Sequence, residues 1–183
     1  MLNNQNITEK GKSLAQYAMH YGVYLGLFWI IQYSLKAAAD AGFSDRFKYL
    51  FYLLNIGAFL LIYIFTLRYR ESTPQKKLSI LRCTLFVVLM CFFASFFEGA
   101  AMYAHYKFID PAYFDRMTTQ MIHMSDSLYD SISFGDTEAM KETARAMYSN
   151  KAFYIFATFI GNIFFGAFLG LIMGLLVNLR KTN

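Results

Sequence analysis

Long apolar runs dominate the hydrophobic pattern of this chain. Four stretches without Lys or Arg are each long enough to cross the roughly 30 Å hydrocarbon core of a bilayer, because a helix rises about 1.5 Å per residue. Together with their flanking residues they predict transmembrane helices at about 13–36, 47–67, 80–105 and 151–179. The pattern therefore predicts an all-α integral membrane protein, with four transmembrane helices in a single membrane domain over residues 1–183.

The polar segment at 106–150, between the third and fourth apolar runs, has a helical pattern of its own. Asp110 followed by Pro111 is typical of a helix cap and first turn. Because the pattern breaks at 131–135, the segment is predicted to form a hairpin of two amphipathic helices, the second capped by Asp136 or Thr137. The apolar face of the first helix is predicted to hold Phe114, Met117, Met121, Met124 and Leu128, and that of the second Met140, Ala144 and Met147.

Basic residues are concentrated in the N-terminal tail, the second loop and the C-terminal tail. These three segments hold nine Lys and Arg against two acidic residues, whereas the first and third loops hold eight against nine. Because loops rich in Lys and Arg stay in the cytoplasm, both termini are predicted to be cytoplasmic and the 106–150 hairpin extracytoplasmic. The excess of basic over acidic residues in these three segments favours contact with anionic lipid headgroups and gives no indication of nucleic-acid binding. The nine basic residues are Lys10, Lys12, Arg68, Arg70, Lys76, Lys77, Arg82, Arg180 and Lys181.

A cleaved signal peptide is the alternative for the first apolar run, since Lys10 and Lys12 precede it and small residues follow at 37–39. The run is longer than the apolar part of a signal peptide, and Lys36 interrupts it before the small residues. We therefore expect an uncleaved span. A content of 57% hydrophobic and 16% charged residues also favours a membrane protein.

Glycines recur every four residues in the first and fourth runs. Gly22 and Gly26 form one stripe, and Gly166, Gly170 and Gly174 form the other. Such stripes let helix backbones approach closely, which drives helix association in lipid. We expect them to pack inside the monomer, the first span against the fourth, in preference to forming a homodimer face.

Two stretches carry a resemblance to a known family. They are YKFIDPAYFDRM at 106–117 and GNIFFGAFLGLIMGLLVNLRK at 161–181. In both, the chain resembles an uncharacterised family of small four-span inner-membrane proteins of Bacteroidota, defined as a domain of unknown function. The resemblance covers most of the chain and implies a bacterial inner-membrane location, but no activity. The second loop, YRESTPQKKLS, departs from that family because it lacks a glycine. Genes of the family often lie beside a polyprenyl-phosphate-type glycosyltransferase gene, which implies such an enzyme as a partner.

Glu98 is the one acidic residue within the predicted spans. It and Asn55 are each expected about 10 Å below the outer ends of their helices, with Gln32 shallower and Asn162 nearer the middle. An unpaired carboxylate is costly at that depth, so Glu98 should face the bundle, with Asn55 as its partner. The favoured interpretation is a hydrogen bond that orders helix packing. The alternative is proton-coupled binding of a small cationic or polar ligand.

Motifs for catalysis are missing from the sequence. It contains no HExxH, GxSxG, P-loop or GxGxxG pattern, so no enzyme activity, catalytic residue or cofactor is predicted. Thioether and imidazole groups near the outer side could suit Cu(I), but Met at this spacing is more often packing, and no metal site is predicted. The residues concerned are Met102, His105, Met117, Met121, His123 and Met124.

These patterns favour a non-catalytic accessory or scaffolding protein of the inner membrane. It would dock a membrane-protein partner, or a second copy of itself, through its small-residue faces and outer hairpin, and assist a membrane glycosyltransferase or envelope assembly. The alternative function is a small proton-sensitive carrier or lipid-binding protein that uses Glu98. Besides such a partner, the lipid bilayer is the predicted contact.

Overall fold

The computed structural model describes residues 13–73, 78–131 and 137–179, and all regular structure in those residues is helical. The all-α prediction is confirmed for this part of the chain. The end of α3 continues into one turn of π-helix, His105–Ile109. The six α-helices are α1 (Leu14–Asp40), α2 (Asp45–Glu71), α3 (Ile80–Ala104), α4 (Tyr113–Ser131), α5 (Thr137–Ser149) and α6 (Lys151–Leu179).

Serine residues cap the starts of the first three helices. Ser13 and Gln16 form a reciprocal capping box at α1, in which each side chain accepts a hydrogen bond from the other residue's backbone N–H. Ser44 and Ser79 cap α2 and α3 in the simpler way, through a single side-chain oxygen. These caps satisfy N–H groups that have no partner within the helix.

Three of the described helices are long and apolar enough to cross a membrane. They are α2, α3 together with its π turn, and α6. The first helix, α1, is equally long but is not among them, since it carries Gln16, His20 and Gln32. By length and composition, these three helices of the described residues could each cross a bilayer, which is typical of a membrane protein.

The central element of the fold is α3, which packs along much of its length against α1 and α6. By contrast, α2 packs mainly on α1 and makes few contacts with α3 or α6. The consequence is a tight group of three helices with α2 standing to one side. Fully buried side chains on α3 form the middle of the core: Cys83, Phe86, Val87, Met90, Cys91 and Ala94.

Both glycine stripes contact α3. A Cβ atom on Gly22 would lie 2.7 Å from Phe93 Cβ, and the space beside Gly26 is filled by Phe97. Residue numbers thus increase together along α1 and α3, which run parallel. The second stripe, Gly166, Gly170 and Gly174, meets Cys91, Thr84 and Ile80 in turn, so α6 runs antiparallel to α3.

The predicted pairing of the first span with the fourth is therefore wrong. The stripes contact different faces of α3, since Gly22 and Gly26 meet the face with Phe93 and Phe97, whereas the second stripe meets the face with Ile80, Thr84 and Cys91. The small side chains are on α1 and α6, and each of these helices can therefore approach α3 closely. Packing inside the monomer accounts for all five glycines, and neither stripe is exposed as a docking face.

At one end of the bundle, aromatic and arginine side chains join three helices. Tyr69 of α2 stacks on Phe86 of α3, with ring centroids 4.4 Å apart, and accepts a hydrogen bond of 3.1 Å from Arg82 Nε. Arg70 Nη1 donates to the Val177 carbonyl of α6 at 2.5 Å. This end therefore holds the basic residues that the structure describes in the second loop.

Beyond α3, two ion pairs hold α4 and α5 side by side. Lys141 Nζ lies 2.6 Å from Asp130 Oδ1, and Arg145 Nη2 lies 2.7 Å from Asp126 Oδ2. From the first pair to the second, the residue number rises on α5 and falls on α4. The two helices therefore run antiparallel. The expected break at 131–135 and the Asp136 cap fall largely outside the described residues, although α4 does end at Ser131.

The apolar face of α4 is only partly covered. Phe114 is buried against Tyr106 and Tyr154, whereas Met124 and Leu128 further along are 74% and 58% exposed. The base of α4 is thus anchored to the π turn and α6, while its far end presents apolar side chains to the surroundings.

Candidate functional site

A cavity of about 210 Å³ lies among α1, α2, α3 and α6, and we call it the Glu98 cavity. It forms where α2 packs on α1 but stands away from α3 and α6. Aromatic and aliphatic side chains make up most of its wall, including Trp29, Phe51 and Phe59. Its polar wall residues are Gln32, Tyr33, Lys36, Asn55, Glu98 and Asn162.

Glu98 is hydrogen-bonded to Asn162 of α6. The Asn162 Nδ2 atom donates to Glu98 Oε2 at 2.6 Å, and both residues are half-buried. The antiparallel packing of α3 and α6 brings these two positions to the same level of the bundle. Glu98 therefore has one amide partner and still faces the cavity.

The predicted hydrogen bond between Glu98 and Asn55 is wrong in this structure. The Asn55 amide donates instead to the Phe51 carbonyl of its own helix at 2.8 Å, although Asn55 lines the same cavity. The physical reason is that the glycine stripe draws α6 onto α3, whereas α2 has no such contact with α3.

The sequence contained a signal for Asn162. It lies four residues before Gly166, so it continues the stripe of Gly166, Gly170 and Gly174 along one helix face. Once that stripe is placed against α3, Asn162 must point toward α3 as well.

Gln32 is the most buried amide of the cavity, with 6% of the residue exposed. It comes from α1, Asn55 comes from α2 and Asn162 comes from α6. Three carboxamides on three different helices therefore line the same cavity as one carboxylate, and one of them, Asn162, is bonded to it. Such a wall can offer both donors and acceptors to a polar guest.

Lys36 lines the cavity close to the end of α1. Its Nζ lies 2.6 Å from Asp40 Oδ2 and 3.4 Å from the Tyr113 hydroxyl of α4. The Tyr113 hydroxyl in turn donates to Asp40 Oδ2 at 2.6 Å. Burial raises the pKa of Tyr113, and its hydrogen bond to Asp40 raises it further, so the hydroxyl stays protonated as a donor. This network ties α4 to α1 beside the cavity.

A second contact joins α1 to the π turn. The Tyr33 hydroxyl and His105 Nδ1 are 2.7 Å apart, and Tyr33 also lines the cavity. His105 is the first residue of the π turn, and its carbonyl accepts the Asp110 N–H at 2.9 Å. Widened turns of this kind are frequent at functional sites. The sequence patterns singled out neither Tyr33 nor Tyr113.

Asp110 and Pro111 precede α4 but do not form its first turn. The helix begins at Tyr113, and Pro111 lies in the turn before it. The Asp110 carboxylate is ion-paired with Arg116, one turn into α4. The Arg116 guanidinium holds the pKa of Asp110 below its usual range. Asp110 thus acts on the start of α4 through this charge pair and also through hydrogen bonds that its carboxylate accepts from the backbone N–H groups of Ala112 and Tyr113, as a capping residue does.

The ion pair predicts that the attachment of α4 is sensitive to acid. Because the pKa of Asp110 is lowered in the folded protein, the pair stabilises it above the usual Asp pKa. That contribution is lost as the pH falls through the lowered value. We expect Asp110→Asn to melt below the wild type at neutral pH and to match it in acid, as followed by circular dichroism across a pH series. A difference that persists unchanged in acid would contradict this assignment.

A double-mutant cycle tests the bond between Glu98 and Asn162. We expect Glu98→Ala and Asn162→Ala to be coupled by about 0.6 kcal/mol, and by no more than about 2 kcal/mol, as for other hydrogen bonds between membrane helices. Unfolding in mixed micelles gives the free energies. The matched cycle of Glu98→Ala with Asn55→Ala should show no coupling energy. Coupling of Glu98 with Asn55, and none with Asn162, would instead support the hydrogen bond predicted from the sequence.

Among the described residues, no group of three or more His, Cys, Asp or Glu side chains could hold a metal ion. Of the Met and His residues considered for Cu(I), Met102 is buried in a cluster with Tyr106 and Phe114, and His105 bonds to Tyr33.

The comparisons with known proteins give one match. The family model described as a protein of unknown function, DUF4199, matches residues 20–178. No curated protein and no solved structure matches the chain.

Proposed function

The chain belongs to the DUF4199 family of proteins of unknown function, and we propose that it is a four-span protein of the bacterial inner membrane. The parallel packing of α1 on α3 supports the fourth span. Gly22 and Gly26 contact Phe93 and Phe97 in the middle of an apolar helix that could itself cross the bilayer. A helix held there lies at the same depth as α3.

The proposed orientation has both termini in the cytoplasm. Arg68, Arg70 and Arg82 lie at the end of the bundle where α1 begins, which supports a cytoplasmic location for that end. On this proposal α4 and α5 form an extracytoplasmic helical hairpin. A reporter protein fused after Lys181 should therefore show its activity on the cytoplasmic side of the membrane. Activity on the periplasmic side would overturn the orientation.

The function that the geometry supports best is non-catalytic binding of a small polar group in the Glu98 cavity. The observation that carries it is one carboxylate grouped with three carboxamides around a single cavity within the helices. An ionisable residue among membrane spans is costly and often functional. A cationic or amine-bearing group, free or on a lipid, is the chemistry that such a carboxylate attracts.

A second candidate is an accessory protein that docks a membrane partner. The glycine faces are occupied by α3, so this docking would fall to the outer helices, where apolar side chains are exposed. A membrane glycosyltransferase is the first partner to test, as the family resemblance implies. The exposed side chains are Met124, Leu128, Met140 and Met147.

Mass spectrometry of the tagged protein, purified from its native membrane in mild detergent, separates the two candidates. The wild type is compared with Glu98→Gln and with Glu71→Gln, a matched change at an exposed acid. A bound small molecule or defined lipid that is lost only in Glu98→Gln supports the binding function. A stoichiometric membrane protein retained by all three supports the accessory role, and absence of any bound molecule contradicts the binding function.

A further inference from the structure

A second concave surface, a groove of about 570 Å³, lies between α3 and α6, and we call it the α3–α6 groove. It shares no lining residue with the Glu98 cavity. Both helices that form it are long and apolar enough to cross a bilayer. Small residues, among them Ser95, Gly99 and Ala100, alternate in its lining with large aromatic side chains. The Ser95 hydroxyl donates to the Cys91 carbonyl of its own helix at 2.8 Å, so it asks for no partner in the groove.

The groove has a closed end and a definite length. Phe92, Phe96 and Phe159 meet edge to face at the end furthest from α4, with ring centroids 5.0–5.4 Å apart. From Phe92 to Tyr103 at the other end the groove follows eleven residues of α3, or about 16 Å. The hydrocarbon of one leaflet is about 15 Å thick, half of the bilayer core. The groove is therefore as long as one leaflet is deep.

Lys107 lies one turn beyond Tyr103, at the open end of the groove and near the end of the apolar stretch Ile80–Ile109. Its Nζ donates to the Tyr103 hydroxyl at 3.1 Å, which leaves two of its three N–H groups for other acceptors. Within the ranges that the structure describes, Lys107 forms no ion pair. The carboxylate of Asp110, the next acidic residue in the chain, is instead paired with Arg116. An unneutralised ammonium group thus stands at the mouth of an apolar groove.

From this arrangement we propose that the groove binds one acyl chain of an anionic phospholipid, whose phosphate contacts Lys107. An ammonium group just beyond the hydrocarbon is at the level of the lipid headgroups and attracts anionic ones. Lys151, which adjoins Ala152 of the groove lining, adds a second positive charge at this end. A zwitterionic phospholipid carries an ammonium group of its own, which these lysines repel. The inference does not depend on the Glu98 cavity.

The test is native mass spectrometry of the full chain, stripped of lipid in detergent and then titrated with single lipids. Phosphatidylglycerol and phosphatidylcholine with identical acyl chains differ only in the headgroup. Glycerol 3-phosphate is the third probe, because it has a phosphate but no acyl chain. We expect phosphatidylglycerol to bind about fivefold more tightly than phosphatidylcholine, the effect of one lysine near an anionic lipid. Glycerol 3-phosphate should not bind.

Substitutions at Lys107 test the headgroup contact. Lys107→Gln should remove the fivefold preference for phosphatidylglycerol, and Lys107→Arg should keep it, since Arg retains the charge. Lys48→Gln is the matched control, because Lys48 is exposed near the start of α2, at the same end of the bundle. It should bind both lipids as the wild type does.

Filling the groove tests the acyl-chain contact. Ala100→Trp places an indole ring where the chain would lie, and it should weaken binding of both lipids about tenfold. Gly161→Trp is the control, because Gly161 is exposed outside the groove with nothing within 4 Å of its would-be Cβ. If Ala100→Trp loses its helical circular dichroism, Ala152→Trp fills the groove from α6.

Three results would overturn the inference. The first is equal affinity for the two lipids, or a preference that survives Lys107→Gln. The second is binding of glycerol 3-phosphate as tightly as the lipid, which would make the site one for a free phosphate. The third is a dimer that excludes lipid and dissociates in Ala100→Trp, which would place a second copy of the chain in the groove. None of them bears on Glu98→Gln, so the proposed function is tested separately.

Discussion

Replacing Gly170 with Ala should lower the free energy of unfolding by about 1–3 kcal/mol, the usual cost of forcing an extra carbon into a packed contact. The new Cβ would lie 2.7 Å from Thr84 Cα and 3.0 Å from the Thr84 carbonyl oxygen. Both are backbone atoms, so no side-chain rotation can relieve the clash. The two helices must move apart, and lipid supplies no hydrophobic force to bring them together again.

Gly161 provides the matched control for this substitution. It lies on the same helix with nothing within 4 Å of its would-be Cβ. Gly161→Ala should be neutral or slightly stabilising, because Ala is the better helix former. Thermal unfolding in detergent, followed by size-exclusion chromatography of the heated sample, measures both variants. Equal melting of the two variants would show that α6 does not approach α3 through Gly170.

Replacing Arg70 with Met should cost on the order of 1–3 kcal/mol, because it leaves a buried acceptor without its donor. Arg70 is 5% exposed and its guanidinium donates to the Val177 carbonyl. Val177 lies in the last turn of α6, where carbonyls have no N–H partner within the helix and a positive charge is favourable. Methionine preserves much of the apolar stem, so the loss reports on the charged group.

Arg68→Met is the control, since Arg68 is exposed one half-turn away on the same helix. Both variants remove one positive charge from the same end of the bundle. Any effect of the lost charge on the orientation of the protein in the membrane is therefore common to both. Denaturation in mixed micelles should show a lower free energy of unfolding for Arg70→Met and no change for Arg68→Met. If the two variants unfold together, the contact with α6 contributes nothing to stability.

The helices themselves were largely predictable. The run predicted at 151–179 has the same bounds as α6, and the run predicted at 80–105 ends within a residue of α3. Helix formation depends on neighbours in the chain, on apolar runs and on end residues such as Ser13 and Ser79, so it can be read locally. The first turn predicted at Asp110 and Pro111 lies instead in the turn before α4, which begins at Tyr113.

The sequence by itself determined which segments are helical and apolar, where the basic residues are concentrated and which helix faces are small. Tertiary structure alone decided that both glycine faces meet α3, that Asn162 and not Asn55 bonds to Glu98, and that Lys36 reaches the same cavity. The physical reason is that periodicity defines a face of one helix but not its neighbour. Which faces meet depends on the direction, register and distance of helices that are far apart in the chain, and these follow from packing the whole bundle.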